Sequence, residues 1–505
     1  MALVNARPRA SGWLLVLAAM AVFALHAGYY WHWTEDDAFI SFRYARNLAA
    51  GQGLVFNPGQ RVEGYSNPSW VLLAAAVLRV GGDPERASKI AGLAAGAVAV
   101  LLSWLLARRI APRASGTALF APWAVALSPV LARNAVNGLE SGFFALLLTA
   151  GVLLAFAEES AWRRVLLVAD LALLSVTRPE GPLFAALILA LRVVLGSRPG
   201  GVGRRSAAAD LVGWLVLYGA YFIWHLSYFG GPFPNTYYAK MTGGLPALAN
   251  GIRYSVDFAR DGGGVLFVAI ALAPVALGVA GAPLGLTLVV IAAYVAFVCV
   301  SGGDWMADYR FYAHVLPLVA ASIAAGIAAL LALPRPGRER AVAYVALALV
   351  LIATLASMAA TEAEVAREVM PAVRAHCSLS QNYERLGRWL RQNTAPEAVI
   401  AVSDVGAVAY FSERPILDMF GLIDPHIAHL PGRLHFKADP GYVLARRPDW
   451  VVLVSRDDGG AGRSFLRIPD ARLFAEPAFQ RDYERVAAVP QHWQNEFVLI
   501  YRRRS

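Results

Sequence analysis

The stretch GWLLVLAAMAVFALHAGYYWHWTEDDAFISFRYARNLA (residues 12–49) joins a long apolar run to a cluster of three carboxylates. The run is long enough to cross a membrane as a helix, since a span needs roughly 20 apolar residues. Glu35, Asp36 and Asp37 follow directly at its end. Adjacent carboxylates repel one another, which raises the pKa of at least one of them. A loop that needs only solubility does not require three adjacent acids, so the cluster is a candidate for chemistry.

The composition of the chain indicates a polytopic membrane protein. Of its 505 residues, 58% are hydrophobic and 16% are charged, and the mean hydropathy is +0.50. Soluble proteins carry about 25% charged residues. The formal net charge of +10 does not indicate nucleic acid, because the basic residues fall in short clusters between apolar runs, where they orient a membrane protein. Cys299 and Cys377 provide neither a disulfide framework nor a metal motif.

Apolar runs of suitable length predict eleven transmembrane helices. The predicted spans are residues 12–31, 88–107, 114–132, 143–157, 164–177, 182–197, 210–228, 264–281, 283–300, 312–333 and 341–360. Connections on one side, together with the N-terminus, hold fourteen arginines against three acids. By the positive-inside rule this side faces the cytoplasm. A cleaved signal peptide is not predicted, because the first run is long enough to span and no small-residue cleavage site precedes the acidic cluster.

The opposite side of the membrane receives the unusual polar segments. They are the large first loop (residues 32–87), NGLES (137–141), TRPEG (177–181), GGPFPNTYYAK (230–240) and SGGDWMADYRF (301–311). An apolar stretch in the first loop, residues 71–80, is too short to span and is predicted to lie in the interface. An odd number of spans also brings the C-terminal segment to this side. We therefore predict a membrane domain over residues 1–360 and an extracytoplasmic α/β domain over residues 361–505.

The C-terminal segment has the pattern of a soluble α/β module. Residues 383–392 predict a helix, and the apolar runs VIAVSD (399–404), DWVVLVS (449–455) and FVLIY (497–501) predict strands. The sequence has no glycine-rich nucleotide-binding motif and no internal repeat.

Asp36 and Asp37 are the candidate catalytic residues. The stretch AFISFRYARNLA that follows them is a predicted amphipathic helix, which would hold both carboxylates at the membrane surface. A carboxylate whose pKa is raised by a neighbour is a competent general base for a hydroxyl group. The alternative is that these acids simply mark the end of a span.

Three basic residues at outer span ends, Arg178, Lys240 and Arg310, are candidates for binding a phosphate. The alternative is that their long side chains snorkel to the lipid headgroups. Glu140 and Glu180 are expected to pair with one of these bases. Carboxylates, an amide and aromatic rings in the same segments are candidates for binding the substrate, and no metal ligand is predicted. The candidate substrate-binding residues are Glu63, Tyr65, Asn235, Tyr237, Tyr238, Asp304 and Trp305, together with Glu140 and Glu180.

The motifs DDAFISFRYARNLAAGQG, VEGYSN, GLES, TRPEG, PNTYYAK and GGDW, in this order, resemble those of the GT-C glycosyltransferases. The strings VEGYSN and NTYYAK are similar to the branch that contains the mycobacterial terminal arabinofuranosyltransferases of cell-wall arabinan. A more distant similarity is to the protein O-mannosyltransferases and the lipid A aminoarabinose transferases. The resemblance covers residues 12–333.

This resemblance implies an inverting transfer of a sugar from a polyprenyl-phosphate donor, on the periplasmic or extracellular face of a bacterial inner membrane. The first-loop Asp, which is Asp36 or Asp37 here, would act as the base. The resemblance favours a pentofuranose such as arabinofuranose, and the acceptor would be a glycan, lipid or protein of the cell envelope. No organic cofactor is implied, and a divalent cation is left open.

The sequence leaves two alternative functions open. One is a GT-C transferase of another sugar, mannose-like or aminoarabinose-like. The other is a transporter or flippase of a lipid-linked sugar, which would typically have ionisable residues at the membrane midplane and repeat symmetry. Asp170 is the clearest ionisable candidate within a span, and the absence of a visible repeat favours the enzyme.

Overall fold

The computed structural model describes residues 10–112, 116–156, 160–195, 203–240, 244–261, 264–304, 306, 309–332, single positions and short runs between 345 and 375, 378–432, 435–458, 465–491 and 496–504. The chain divides into two compact units. The first unit contains residues 1–31, 89–221 and 243–365, and the second contains residues 32–88, 222–242 and 366–505. The first loop and the segment 222–242 thus belong to the same unit as the C-terminal segment. The functional division at residue 360 stays a prediction.

The first unit is built from helices. Those that lie in it wholly or for most of their length are Ala10–Tyr29, Pro84–Ile110, Phe120–Ala126 after a 3-10 turn at Thr117–Leu119, Pro129–Val136, Ser141–Ala155, Ala161–Ser175, Gly181–Leu195, Arg204–Phe229, Gly244–Asp261, Gly264–Ala276, Ala282–Ser301, Arg310–Ala313 and Leu316–Leu331. Helices occupy ten of the eleven predicted spans, and the eleventh, residues 341–360, lies largely outside the described residues.

The predicted number of eleven spans is not confirmed, although the chain is a multi-pass membrane protein. Among the described residues, four helices are long and apolar enough to cross a membrane: Ala10–Tyr29, Pro84–Ile110, Arg204–Phe229 and Ala282–Ser301. A fifth arises if the pair Thr117–Ala126 and Pro129–Val136, bent by 50°, counts as one span. Several other predicted spans form helices of 15 residues, which extend about 22 Å against a hydrocarbon core of roughly 30 Å.

Small residues allow close packing of helices in the first unit. A side chain at Gly92 would collide with the backbone carbonyl of Ala135, and one at Gly326 would collide with the carbonyl of Ile270. Close approach at glycine is typical of helices that associate in membranes. Large apolar side chains such as Leu25 are exposed on the outside of the unit, as expected for a surface that faces lipid.

The second unit contains shorter helices and a sheet. Its helices are Asp36–Ala49, Pro68–Arg79, Asn235–Lys240, Met370–Arg374, Leu379–Asn393, Ala407–Ser412, Pro425–Ala428, Pro440–Ala445, Ile468–Ala475 and Pro477–Asp482. Helix Leu379–Asn393 begins with a capping box: the side chain of Ser378 accepts from the backbone N–H of Gln381, and the side chain of Gln381 accepts from the backbone N–H of Ser378. The predicted helix over 383–392 is therefore present and starts earlier.

The sheet has five strands: β1 (Ile400–Val402), β2 (Ile416–Asp418), β3 (Trp450–Ser455), β4 (Tyr483–Gln491) and β5 (Glu496–Arg503). Their order is β2-β1-β3-β5-β4, with β1 parallel to β2 and β3, and β5 antiparallel to β3 and β4. Every residue of β3 is buried. The strand is central and covered on both faces, which explains why its sequence is a continuous apolar run.

Three of these strands were predicted, and two were not. The apolar runs 399–404, 449–455 and 497–501 form β1, β3 and β5. Strand β2 was not predicted because three residues give little periodic signal. Strand β4, YERVAAVPQ, was not predicted because a strand with charged residues and a proline lacks an apolar alternation. Both unpredicted strands lie at the sheet edges.

Candidate active site

Helix Asp36–Ala49 begins at the first of the paired aspartates. Asp36 and Asp37 occupy its first turn, where negative charge is favourable because the backbone N–H groups of a helix N-terminus point outward. Asp36 Oδ2 accepts a hydrogen bond from the backbone N–H of Gly406 at 3.0 Å, and Oδ1 accepts one from Ala407 at 2.8 Å. The orientation of the Asp36 carboxylate is thus set by the turn that follows β1.

The surroundings of Asp36 raise its pKa to about 7. Burial is the largest cause, and the negative charge of Asp404 is the next. The hydrogen bonds from Ala407 and Gly406 oppose the increase because they stabilise the ionised carboxylate, while Asp37 adds to it. A carboxyl group with a pKa near 7 is matched to general acid–base chemistry at neutral pH.

Asp37 has a different environment from its neighbour. Its Oδ2 atom lies 3.6 Å from Nζ of Lys240, and the exposed fractions of the two side chains are 19% for Asp37 and 34% for Lys240. Lys240 ends the helix Asn235–Lys240, which is formed by the predicted motif NTYYAK. The structure therefore brings together two candidate catalytic residues and one of the three candidate phosphate-binding residues.

Asp404 lies on the same turn as Gly406 and is held by two partners. The hydroxyl of Tyr383 donates to Asp404 Oδ2 at 2.5 Å, and Nη2 of Arg467 lies 2.5 Å from the same oxygen. Nη1 of Arg467 is buried and has no hydrogen-bond partner among the described residues. Two negative charges thus act on Asp36: that of Asp404, in the turn after β1, and that of Asp37, in the first turn of its own helix.

His435 shares these charged neighbours. It has a positive φ of 71°, a conformation that is uncommon outside glycine but that histidine, asparagine and aspartate adopt more often than other residues. Burial lowers its pKa, and the charges of Asp404, Arg467, Lys240 and Asp37 also act on it.

Four residues of this site were not predicted from the sequence: Asp404, Tyr383, Arg467 and His435. One signal was available for Asp404, because VIAVSD places it just after a buried strand. The carboxyl ends of parallel strands are common positions for functional residues. Tyr383, Arg467 and His435 have no such local signature.

Three predicted substrate-binding residues of the second unit are buried among protein groups. Glu63 Oε2 lies 2.6 Å from Nε2 of His225, and its backbone carbonyl accepts from the N–H of Asn235 at 2.8 Å. The Asn235 side chain donates to the carbonyls of Gly421 and Leu422. Tyr65 packs its ring against Tyr44. In this structure these residues tie the first loop to other parts of the unit, and their role in binding stays a prediction.

Tyr237 and Tyr238, also predicted to bind the substrate, lie on helix Asn235–Lys240. Tyr237 is exposed and stacks on Phe233. Tyr238 stacks on the ring of His429. Tyr237 thus presents aromatic surface on the helix that carries Lys240.

Arg178, Glu140 and Glu180 form a buried cluster in the first unit. Arg178 makes ion pairs with both Glu140 and Glu180, and its side chain is 6% exposed. The pairing that the sequence analysis expected is therefore observed, and it involves both acids. Such a cluster is costly to break, because removal of one partner leaves a buried charge unpaired.

Arg310 and Asp304, also in the first unit, form a bidentate pair. Nε of Arg310 lies 2.9 Å from Asp304 Oδ2, and Nη2 lies 3.2 Å from Oδ1. This geometry fixes the plane of the guanidinium group. Trp305, the remaining candidate, lies outside the described residues. Within the described ranges, no group of three or more His, Cys, Asp or Glu residues is arranged to hold a metal ion.

Comparison with known proteins finds two curated relatives and one matching family model. It is 31% identical over 275 residues to a terminal β-(1→2)-arabinofuranosyltransferase of Mycobacterium tuberculosis, an alignment that covers 50% of this chain and 42% of the relative. A 56-residue segment is 46% identical to the enzyme of the same name from Corynebacterium glutamicum, covering 11% of this chain and 8% of that one. The chain thus spans less than half the length of these relatives. A family model described as a domain of unknown function, DUF8728, matches residues 373–501, which we call the C-terminal module.

Solved structures share the fold over nearly the whole chain. ArnT from Cupriavidus metallidurans, solved bound to undecaprenyl phosphate, superimposes with a TM-score of 0.55 at 15% identity and covers 97% of this chain and 98% of its own. The mycobacterial arabinofuranosyltransferase AftD gives a TM-score of 0.51 at 14% identity over 99% of this chain and 42% of its own.

By fold, the chain is similar to ArnT and AftD, which are glycosyltransferases of the GT-C type. By sequence, it is similar to terminal arabinofuranosyltransferases. Both parts of the predicted resemblance are confirmed.

Proposed function

We propose that the protein is an inverting glycosyltransferase that moves a sugar from a polyprenyl-phosphate donor to an acceptor of the cell envelope. The observation that carries the proposal is the pair of carboxylates at the start of helix Asp36–Ala49. Asp36 is held by two backbone amides, and Asp37 lies beside Lys240. Glycosyl transfer needs a base for the acceptor hydroxyl and a cation for the leaving phosphate. The second unit contains residues of both kinds.

Asp36 serves as the base in this proposal. The acceptor hydroxyl gives its proton to the Asp36 carboxylate while its oxygen forms a bond to the anomeric carbon. The bond from that carbon to the phosphate oxygen breaks, and the polyprenyl phosphate leaves with the electron pair. Attack opposite the leaving group inverts the anomeric configuration. A pKa of about 7 leaves a large fraction of Asp36 ionised at neutral pH and still basic enough to accept the proton.

Lys240 is the proposed partner of the leaving phosphate. Negative charge grows on the phosphate as the glycosidic bond breaks, and a positioned cation stabilises that charge in the transition state. Lys240 is partly exposed beside Asp37, so its ammonium group is accessible to a ligand. Asp37 keeps the lysine in place before the donor binds. Arg178 and Arg310 are already paired within the first unit, and their role at the phosphate stays a prediction.

The donor and the sugar are inferred from the relatives. An undecaprenyl phosphate bound to ArnT supports a polyprenyl-phosphate carrier. The name of the mycobacterial relative supports arabinofuranose as the sugar. The cell-envelope glycan acceptor is part of our proposal. The asymmetric distribution of arginines supports a site on the periplasmic or extracellular face of the inner membrane.

The direct test is a transfer assay with purified full-length protein in detergent or liposomes. The donors are polyprenyl-phosphate arabinofuranose and matched mannose and aminoarabinose carriers, and the acceptor is a synthetic arabinan oligosaccharide. We expect a new glycosidic bond only with the arabinofuranose donor, with inverted configuration by NMR. Transfer from another carrier would replace the sugar in the proposal. Movement of intact donor across liposomes without any transfer would favour the transporter.

A further inference from the structure

We infer that the C-terminal module positions the catalytic carboxylate, and that Gly406 is the positioning residue. The turn 403–407 of this module holds Asp36, which belongs to the first loop. The contact itself stands on the structure, whereas its catalytic consequence rests on the proposed function.

The turn binds both oxygens of one carboxylate. Gly406 and Asp36 are 370 positions apart, and the N–H groups of Gly406 and Ala407 each donate to a different oxygen of Asp36. Two bonds to two oxygens fix the rotation of the carboxylate as well as its position. A carboxylate has about four lone-pair sites, so the pair leaves acceptor capacity for the proton of a substrate hydroxyl.

Gly406 is needed because Asp36 occupies the space where a side chain would lie. A Cβ atom at this position would collide with the backbone carbonyl oxygen and the carboxylate of Asp36. The φ angle of Gly406, −68°, is in the ordinary range of L-amino acids, whereas its ψ angle, −94°, lies beyond the α region. No positive φ is involved, and the contact with Asp36 is what leaves no room for a Cβ atom.

The residues before Gly406 in the turn are themselves held by side chains of the C-terminal module. Before Gly406, Ser403 donates to Asp470 at 2.6 Å, and Asp404 is bound by Tyr383 and Arg467. These contacts make the turn a fixed platform for the two amides.

The helix that follows the turn, Ala407–Ser412, packs on the helix of Asp36. The ring of Tyr410 contacts Phe39 and Phe42, and Nη2 of Arg43 donates to the carbonyl of Arg414 at 2.7 Å. The module is therefore anchored to the catalytic helix along more than one turn.

Substitution of Gly406 by Ala should displace Asp36 from the turn, because the added Cβ atom would overlap the backbone carbonyl oxygen and the carboxylate of Asp36. A displacement of about 1 Å at a reacting group can cost about 10²-fold in rate. The two amides also stabilise the ionised carboxylate, so their loss raises the pKa of Asp36. The acid limb of the pH profile then shifts to higher pH. A purely structural role predicts less folded protein, with an unchanged kcat and pH profile per folded molecule.

The test compares Gly406→Ala with Gly441→Ala in full-length protein. Gly441 lies in the same module, where a Cβ would make only ordinary contact with Asp439. We expect Gly406→Ala to lower kcat by about tenfold to a hundredfold with KM changed less than threefold, and Gly441→Ala to match the parent. A kcat and pH profile close to the parent in folded Gly406→Ala would overturn the inference.

A second measurement does not depend on activity. Hydrogen–deuterium exchange of the peptide that contains residues 403–410 should show protected amides in the parent. Asp36→Ala should lose this protection locally, with exchange elsewhere unchanged. Unchanged protection would refute the contact even if Gly406→Ala failed to fold. Loss of protection in Asp36→Ala, together with no sugar transfer by the parent protein, would uphold the contact and refute the proposed function instead.

Discussion

Nζ of Lys240 lies 3.6 Å from Oδ2 of Asp37, so a cation and a carboxylate from distant parts of the chain meet in the second unit. Partly exposed ion pairs of this kind contribute only about 0–1 kcal/mol to stability. The pair therefore contributes little to the stability of the fold. Its position next to Asp36 supports a role in ligand binding instead.

Lys240→Gln is expected to impair the transition state more than the ground state. Charge grows on the leaving phosphate during the reaction, so loss of the cation should lower kcat by about 10²-fold or more with a smaller change in donor KM. Lys240→Arg keeps the charge and serves as the matched control, with partial recovery expected. Steady-state kinetics normalised to folded protein provide the measurement. Parent-like turnover of Lys240→Gln would mean that another group holds the phosphate.

Substitution of the two aspartates should distinguish their roles. Asp36→Asn removes the proposed base and should lower turnover by about 10² or more. Asp37→Asn removes the partner of Lys240 and a smaller contribution to the raised pKa of Asp36, and it should cost less. Both variants should insert and fold, as judged by size-exclusion chromatography in detergent. Near-parent activity in both single variants would exclude the pair as the source of the base.

The pH dependence of kcat/KM should report the ionisation of Asp36. The raised pKa of about 7 means that kcat/KM falls as pH drops below about 7, because the protonated carboxyl cannot accept a proton. Asp404→Asn removes a negative charge that raises the pKa of Asp36, so its acid limb should move to lower pH. The variant profile should be measured with the donor below KM. An acid limb that does not move would separate Asp404 from the titrating group.

Arg310→Gln tests whether this buried arginine acts at the donor phosphate. The single variant leaves Asp304 without its bidentate partner, and breaking a buried pair typically costs about 3–5 kcal/mol of stability. The double variant Arg310→Gln with Asp304→Asn removes both charges and should recover the folded fraction. If Arg310 binds phosphate, the folded double variant should still have low turnover. Recovery of activity together with folding would assign the pair to stability alone.

Reporter fusions test the orientation that the arginine distribution predicts. Fusions after Gly200 and Arg338 should report a cytoplasmic location, whereas fusions after Gly59, Gly243 and Ser505 should report the outside. An alkaline phosphatase and green fluorescent protein pair gives complementary signals at each site. A cytoplasmic C-terminus would require a different number of spans.

Much of the architecture could be predicted because its signals are local. Composition and long apolar runs were enough for a multi-pass membrane protein, since a bilayer demands apolar length from each span. The helix after the paired aspartates and strands β1, β3 and β5 were predictable from periodicity and apolar runs. The number of spans was not, because short and bent helices carry the same composition as full spans.

The partners of the candidate site could not be predicted, because they depend on contacts between distant segments. The paired carboxylates Asp36 and Asp37 and their place at a helix start could be predicted from local sequence. The bonds from Gly406 and Ala407 to Asp36, the position of Lys240 beside Asp37, and the effect of Asp404 on the pKa of Asp36 are visible only in the folded chain. No local pattern encodes which turn of a distant strand will contact a given side chain. Those contacts arise when the first loop and the C-terminal module fold into one compact unit.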